Sequence, residues 1–263
     1  MRYHLETIPV WDAVKRETEC PLCELTGDLE QQSVSSMLGG AVMEPAQRVE
    51  TNKLGFCAHH MELMYAEKNR LGLALMLHTH LGELATAQQK TFDALATAIK
   101  AEAGSGLFTH AKAALTHGGT AAQGARTAAE KLAEHNQTCF ICRRIEENLL
   151  RYQATIVHMW HNEKEFAEAL KNSKGFCFPH VVNMLNMAAD QLNGSDLRDF
   201  LTLLSSLQKQ KTARLLDELA WFNDKFDWRN QDKPWGNSKD ALPRTVNMLR
   251  GAVLPDAKAE PKT

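Results

Sequence analysis

Cysteine and histidine form two short motifs near the start of the chain, and their residue types suit metal binding. Cys20 and Cys23 make a Cys-x-x-Cys motif, and Cys57 and His60 make a Gly-Phe-Cys-x-x-His motif further along. Three thiolates and one imidazole are a ligand set of tetrahedral zinc. Four protein ligands leave no coordination position for water, so such a site stabilises a fold rather than catalysing a reaction. These four residues predict a structural zinc site.

The same two motifs recur later in the 263-residue chain, which predicts an internal duplication. The third cysteine follows the second by 34 residues in the first copy and by 35 in the second. The second set is Cys139, Cys142, Cys177 and His180. We expect each copy to hold its own zinc ion, two ions in all. The position of His180 selects His60, and not the adjacent His59, as the ligand of the first copy.

Two other chemistries remain open for these cysteines. A set of three cysteines and one histidine can also hold an iron–sulfur cluster. A Cys-x-x-Cys pair can instead act as a thiol redox pair. Zinc is the first prediction because all six cysteines fall into two matching sets.

The sequence predicts that helices position these ligands. Apolar residues recur at helical spacing after each Cys-x-x-His motif, including Leu71, Leu75 and Leu81 in the first copy and Phe200 and Leu204 in the second. Alternating strand patterns of useful length are absent. The fold class is therefore all-α, with two pseudo-repeated helical units, each organised around a Cys₃His metal site.

Changes in composition predict the domain boundaries. The first helical unit covers residues 1–100, an Ala/Gly-rich linker covers 101–129, and the second helical unit covers 130–250. Residues 251–263 contain two prolines among small and charged residues and read as a disordered tail.

Charge and hydropathy exclude several classes of protein. The chain has 30 basic and 32 acidic side chains, a formal net charge of −2. Nucleic-acid and membrane-surface proteins have a strong basic excess instead, so we expect neither partner. The first residues are too polar for a signal peptide, and no apolar stretch approaches the ~20 residues of a spanning helix. The expected location is the cytoplasm, where thiols stay reduced.

Polar residues that differ between the copies are candidates for a ligand site. Glu44, Arg48, Asn69 and Arg70 belong to the first copy, and the second copy has other residue types at these places. Arginine binds carboxylates and phosphates, so the four could line a cleft for a small anion. The alternative is that they are helix caps and a surface ion pair.

Several longer motifs carry a resemblance to a known family. They include Tyr3-His4-Leu5-Glu6-Thr7-Ile8-Pro9-Val10-Trp11-Asp12, Cys20-Pro21-Leu22-Cys23, Gly55-Phe56-Cys57 and Pro234-Trp235-Gly236-Asn237-Ser238-Lys239-Asp240. On these motifs the chain resembles an uncharacterised bacterial domain-of-unknown-function family associated with anaerobic gut bacteria. The resemblance implies no activity.

Three functional classes follow from these residues. The first is a soluble zinc-binding protein that binds a ligand or regulates an unknown protein or small anionic partner. It is favoured because phosphate-binding loops and dinucleotide motifs are missing from the sequence. The second is an enzyme with an anion-binding cleft in the first repeat. The third is an iron–sulfur or thiol redox sensor.

Overall fold

Helices are the only regular elements in the part of the chain that the structure describes, and the predicted all-α class is confirmed. The structure is a computed structural model that describes residues 5–104, 119–252 and 254. The helices are α1 (Thr7–Lys15), α2 (Pro21–Leu38), α3 (Pro45–Leu54), α4 (Ala58–Ala66), α5 (Arg70–Ala103), α6 (Thr120–Asn136), α7 (Phe140–Asn162), α8 (Lys164–Lys171), α9 (Phe178–Gln191), α10 (Gly194–Asp224) and α11 (Ala241–Arg250), with short 3-10 turns at Gly40–Met43, Trp228–Asn230 and Gly236–Ser238. None of the helices in these ranges is long and apolar enough to cross a bilayer.

Prolines and an asparagine determine where several helices begin. Pro21 and Pro45 are the first residues of α2 and α3, where the missing N–H costs no hydrogen bond and the fixed φ suits a helix. Asn69 caps α5, because its side-chain oxygen accepts a hydrogen bond from the backbone N–H of Gly72 at 2.8 Å.

The described residues divide into two compact units that do not follow the order of the sequence copies. Unit 1 combines Met1–Leu29 with Glu146–Thr263, and unit 2 is Glu30–Ile145. The boundaries between them fall inside helices α2 and α7. Each unit therefore contains part of both copies.

Unit 1 has a core of aliphatic, aromatic and sulfur-containing side chains. Phe166, Phe176 and Phe200 are its largest fully buried side chains, from α8, the turn before α9, and α10. Trp11 of α1 packs edge-on against Phe166, with ring centroids 5.1 Å apart. Cys20 and Cys177 belong to the same buried cluster, so two of the predicted ligands lie in this core.

Unit 2 has a smaller core, and it buries a face of α5 that differs from the predicted one. Leu73 and Met76 are buried there, whereas Leu71, Leu75 and Leu81 are exposed. The predicted stripe is wrong for this helix because residues 71–77 are almost continuously apolar, so periodicity alone does not select the buried face.

The predicted linker and tail lie partly outside the described residues. Residues 105–118 of the linker are among those not described, and residues 120–129 belong to α6, which packs on α5. In the tail, only residues 251, 252 and 254 are described.

Candidate metal sites

The structure brings the eight predicted metal ligands into two groups, but it combines them across the sequence copies. The Cys20 group comprises Cys20, Cys23, Cys177 and His180, and the Cys57 group comprises Cys57, His60, Cys139 and Cys142. Each Cys-x-x-Cys pair of one copy meets the Cys-x-x-His pair of the other. The predicted grouping within each copy is therefore wrong. The Cys20 group lies in unit 1 and the Cys57 group lies in unit 2.

The Cys20 group has the spacing of ligands around one ion. The Nδ1 atom of His180 lies 3.4 Å from the sulfurs of Cys20 and Cys23 and 3.2 Å from that of Cys177. The sulfurs of Cys23 and Cys177 are 3.6 Å apart. Tetrahedral zinc, with bonds of about 2.3 Å to sulfur, holds its sulfurs about 3.8 Å apart. The four atoms can therefore all reach a single central ion.

The Cys57 group repeats this geometry. The Nδ1 atom of His60 lies 3.2 Å from the sulfur of Cys57, 3.3 Å from that of Cys139 and 3.4 Å from that of Cys142. The sulfurs of Cys57 and Cys142 are 3.7 Å apart. His59 is exposed and is not part of this group; its Nε2 atom lies 2.9 Å from the carboxylate of Glu30. All six cysteines of the two groups are free of disulfide bonds.

The Gly-Phe-Cys motif positions the histidine half of each group. Gly55 and Gly175 have positive φ angles of 61° and 73°, which glycine adopts without the strain of a side chain. Phe56 and Phe176 follow them and are buried, which anchors the turn. Each following cysteine is then the N-cap of a helix, α4 or α9. The cysteine and the histidine three residues later consequently lie on one face of the helix.

Charge in the Cys20 group is concentrated on Cys177. Hydrogen bonds from the thiols of Cys20 and Cys23 lower the pKa of Cys177 to about 3, although burial opposes them. The backbone N–H of His180 and the ammonium of Lys211 act in the same direction. Cys23 donates to Cys177, and this hydrogen bond raises the pKa of Cys23. A bound cation would displace the remaining thiol protons, because it favours the thiolate form.

In the Cys57 group the histidine is held neutral. Burial lowers the pKa of His60, and the carboxylate of Glu30 opposes this effect. Neutral imidazole is the form that binds metals. Among the cysteines, burial raises the pKa of Cys142 to about 12, helped by a hydrogen bond with Cys139. Burial also acts to raise the pKa of Cys57, but the backbone N–H of His60 and the neighbouring thiols lower it overall.

Two charged side chains next to the groups were not predicted. Glu30 of α2 lies 3.2 Å from the Nε2 atom of His60, on the side of the ring away from the sulfurs. Lys211 of α10 is 2% exposed, and its ammonium attracts the thiolate of Cys177. Lys211 could have been found in the sequence, since it follows Leu207 by four residues on an apolar helix face. The sequence offers no comparable signal for Glu30.

Arg48 is one of the four predicted ligand-site residues, and its guanidinium is hydrogen-bonded to other parts of unit 2. It donates hydrogen bonds to the backbone oxygens of Val42 and Leu75 and to the hydroxyl of Thr79, at 3.4, 2.8 and 2.6 Å. Glu44 is exposed, and its backbone oxygen accepts from the N–H of Arg48. Arg48 therefore joins α3 to α5.

The other two predicted ligand-site residues make local contacts. Asn69 caps α5 and also donates to the backbone oxygen of Leu38 at 2.5 Å. Arg70 lies over the ring of Tyr65, with 3.9 Å between the guanidinium carbon and the ring centroid, and donates to the backbone oxygen of Tyr65. These contacts are those of caps and local pairs. An anion cleft lined by all four residues stays a prediction.

Unit 2 also contains an open hollow that the sequence did not indicate. Its volume is about 810 Å³, and α3, α5 and α6 contribute to its walls. The charged and titratable residues among its lining are His78, Glu83, Lys90 and Lys131. Asn52 and Thr79 lie at its edge and are hydrogen-bonded to each other at 2.8 Å.

The fold and the two ligand groups define the chain as an all-helical protein with two candidate Cys₃His metal sites. The chain belongs to DUF6062, a family of unknown function, whose model matches residues 1–256. The match includes all eight candidate ligands. Neither the curated proteins nor the solved structures include a match to this chain.

Proposed function

We propose that the chain binds two zinc ions, one in each group, and that both ions are structural. The observation that carries this proposal is the convergence of four ligand atoms, all within 4.8 Å of one another, in each group. Four protein ligands complete a tetrahedral shell, so neither ion keeps an open position for a substrate. The donor set of three sulfurs and one nitrogen favours zinc among divalent ions.

The sulfur spacing favours a single ion over an iron–sulfur cluster. In a cluster the cysteines bind different iron atoms, which holds their sulfurs further apart than the ligands of one ion. The sulfur–sulfur distances of 3.6 Å between Cys23 and Cys177 and 3.7 Å between Cys57 and Cys142 are those expected for sulfurs on one ion. A single iron ion is the remaining alternative, and elemental analysis distinguishes it from zinc.

The ions would serve as cross-links between distant parts of the chain. Cys23 and Cys177 are 154 residues apart, and Cys57 and Cys142 are 85 apart. Cross-linking such long loops removes much of the entropy of the unfolded chain. Free thiols and closed metal sites also suit a reducing compartment, so we place the protein in the cytoplasm.

We further infer that the two copies arose by duplication and that each Cys-x-x-Cys pair came to bind with the Cys-x-x-His pair of the other copy. The local likeness of the copies supports this inference. Gly55 and Gly175 both have positive φ, and the cysteines two residues later cap their helices with nearly the same backbone angles. An ancestor with a single copy would have formed the same crossed pairing between two identical chains.

The biological role we propose is regulatory or ligand-binding, with a protein or a small anion as the partner. Phe226 and Trp228 of unit 1 are 73% and 78% exposed, and aromatic side chains of this kind often anchor protein interfaces. In unit 2, Lys90 and Lys131 line the open hollow and could attract an anion. Arg48 does not favour the enzyme alternative, because its described contacts are with the fold.

Elemental analysis of the purified full chain tests the metal proposal. We expect two zinc ions per chain and little iron. A strong chelator should remove them and lower the melting temperature, and added zinc should restore both values. Protein that folds and melts identically with less than one ion per chain would contradict the proposal.

A further inference from the structure

The two metal groups differ in how much solvent reaches their sulfurs. In the Cys20 group, Cys20 and Cys177 are buried and Cys23 is half-buried. In the Cys57 group, Cys142 is exposed, Cys57 is half-buried and Cys139 is buried. Cys142 is therefore the only exposed cysteine of the two groups, whereas every cysteine of the Cys20 group is buried or half-buried.

The charges next to the groups differ as well. Three thiolates and a neutral imidazole around a divalent ion carry a net charge of −1. In the Cys20 group the buried ammonium of Lys211 opposes that charge; Lys211 also lies 3.6 Å from the carboxylate of Glu19, which three further basic side chains contact. The Cys57 group instead has the carboxylate of Glu30 at 3.2 Å from the imidazole of His60, which adds negative charge. Arg143, which follows Cys142, is paired with Glu50 at 3.5 Å.

The sequence copies carry this difference in their residue types. Glu30 lies seven residues after Cys23, and the residue seven after Cys142 is Leu149. His59, whose Nε2 atom lies 2.9 Å from the same Glu30 carboxylate, has Pro179 as its counterpart before His180. Glu30 and His59 thus have no equivalent in the second copy.

Exposure and charge together affect the reactivity of a metal-bound thiolate. The metal ion already keeps these sulfurs as thiolates, so a further cation only lowers their nucleophilicity, and a neighbouring carboxylate raises it. Lys211 therefore protects the Cys20 group, and Glu30 favours reaction at the Cys57 group. Attack also requires access, which Cys142 has.

We propose that the Cys57 group is an oxidation site for hydrogen peroxide and that the reaction releases its metal ion. This inference rests on the proposed metal binding. The sulfur of Cys142 attacks one peroxide oxygen, the O–O bond breaks, and the leaving hydroxide takes a proton to become water. Cys142 is then a sulfenic acid. The thiolate of Cys57, 3.7 Å away, attacks the Cys142 sulfur, forms a disulfide and expels a second hydroxide, which is protonated to water.

The electrons balance, because the two cysteines together lose two electrons and the peroxide gains them. Only His60 and Cys139 remain as ligands, so the ion dissociates. The ion in this group links the start of α7 to the turn before α4, where the backbone N–H of Phe140 donates to the backbone oxygen of Gly55 at 2.9 Å. Loss of the ion should loosen this part of unit 2, and reduction with added zinc should restore it.

The experiment uses the full chain with its metal content measured first. Protein that contains no metal before oxidation would refute the metal proposal itself, independently of the oxidation site. With two zinc ions bound, hydrogen peroxide is added in steps while a colorimetric chelator reports released zinc. Peptide mass spectrometry then locates the disulfides. We expect one ion to leave well before the other and the first disulfide to join Cys57 and Cys142. Release of both ions at one rate, or a first disulfide containing Cys20, Cys23 or Cys177, would overturn the inference.

A charge variant tests why the Cys57 group reacts first. Glu30→Gln keeps the size of the side chain and removes its negative charge, and we expect a several-fold slower release of the first ion with the initial metal content unchanged. Glu134→Gln makes the same change at an exposed position of α6 and should release zinc at the wild-type rate. Equal rates for Glu30→Gln and the wild type would overturn the role assigned to Glu30.

Discussion

The crossed pairing of ligands predicts an unusual pattern of metal loss in double variants. Cys20 and Cys177 belong to one group, although they come from different sequence copies. Either single Cys→Ala change removes one ligand of the same ion, so the double variant Cys20→Ala/Cys177→Ala should lose no more than either single variant. Cys20→Ala/Cys57→Ala alters both groups and should lose both ions.

The expected metal contents follow directly from the geometry. The wild type should hold two zinc ions per chain, each single variant one, the Cys20/Cys177 double variant one, and the Cys20/Cys57 double variant none. Structural zinc sites contribute about 10 kcal/mol or more of binding free energy, which is comparable to the whole stability of a domain. We therefore expect the affected group to lose its ion outright rather than bind it more weakly.

Native mass spectrometry of freshly purified protein measures this content for each chain. His60→Ala and His59→Ala provide a matched control, because the residues are neighbours and only His60 faces the sulfurs. The first should lose one ion and the second none. If Cys20→Ala/Cys57→Ala retained one ion while Cys20→Ala/Cys177→Ala retained none, the ligands would be grouped within each copy and our reasoning would be refuted.

Three further predictions concern the residues around the Cys20 group and the end of unit 1, each measured by denaturant unfolding of the metal-loaded chain. Glu19 is 12% exposed and contacts four basic side chains, so Glu19→Gln should lower the free energy of unfolding by about 3 kcal/mol. Glu168 belongs to an exposed ion pair, so Glu168→Gln should lower it by less than ~1 kcal/mol. Equal effects of the two changes would contradict this. Gly175→Ala should lower the free energy of unfolding by about 1–2 kcal/mol, because Gly175 has a positive φ of 73° that alanine adopts only with strain. Gly27 lies inside α2 with open space around it, so Gly27→Ala should raise the free energy of unfolding by about 0.5–1 kcal/mol. An unchanged stability of Gly175→Ala would contradict the role of this turn. The buried ammonium of Lys225 donates hydrogen bonds to three backbone oxygens at 2.6–2.7 Å. Lys225→Met should therefore lower the free energy of unfolding by more than ~2 kcal/mol and make the segment after α10 sensitive to limited proteolysis. Unchanged proteolysis would show that this segment does not depend on Lys225.

Local features of the site could be predicted from the sequence because they depend on residues close together in the chain. The Cys-x-x-Cys and Cys-x-x-His spacings identify which residues supply sulfur and nitrogen. The glycine two residues before Cys57 or Cys177 allows the positive φ that leads into the helix. The choice of His60 over His59 followed from the second copy, where His180 likewise lies three residues after the third cysteine, and the structure places His60 with the three sulfurs.

The buried face of α5 could not be predicted in the same way. Residues 71–77 offer apolar side chains on several faces of the helix, and each face has a similar local preference. Leu73 and Met76 are buried because that face packs on the other core residues of unit 2, and Arg48 holds α5 at the backbone oxygen of Leu75. The spacing of apolar residues in the sequence does not show such contacts between helices.

Amino-acid types and spacing alone therefore determined the helical class and the eight candidate ligands, while tertiary structure decided which of them lie together in one candidate site. Two Cys-x-x-Cys pairs and two Cys-x-x-His pairs can be matched in two ways, and both matches give three sulfurs and one nitrogen. The local chemistry is the same in either case. The difference arises from packing, which places the start of α2 beside α9 in unit 1 and the start of α7 beside α4 in unit 2.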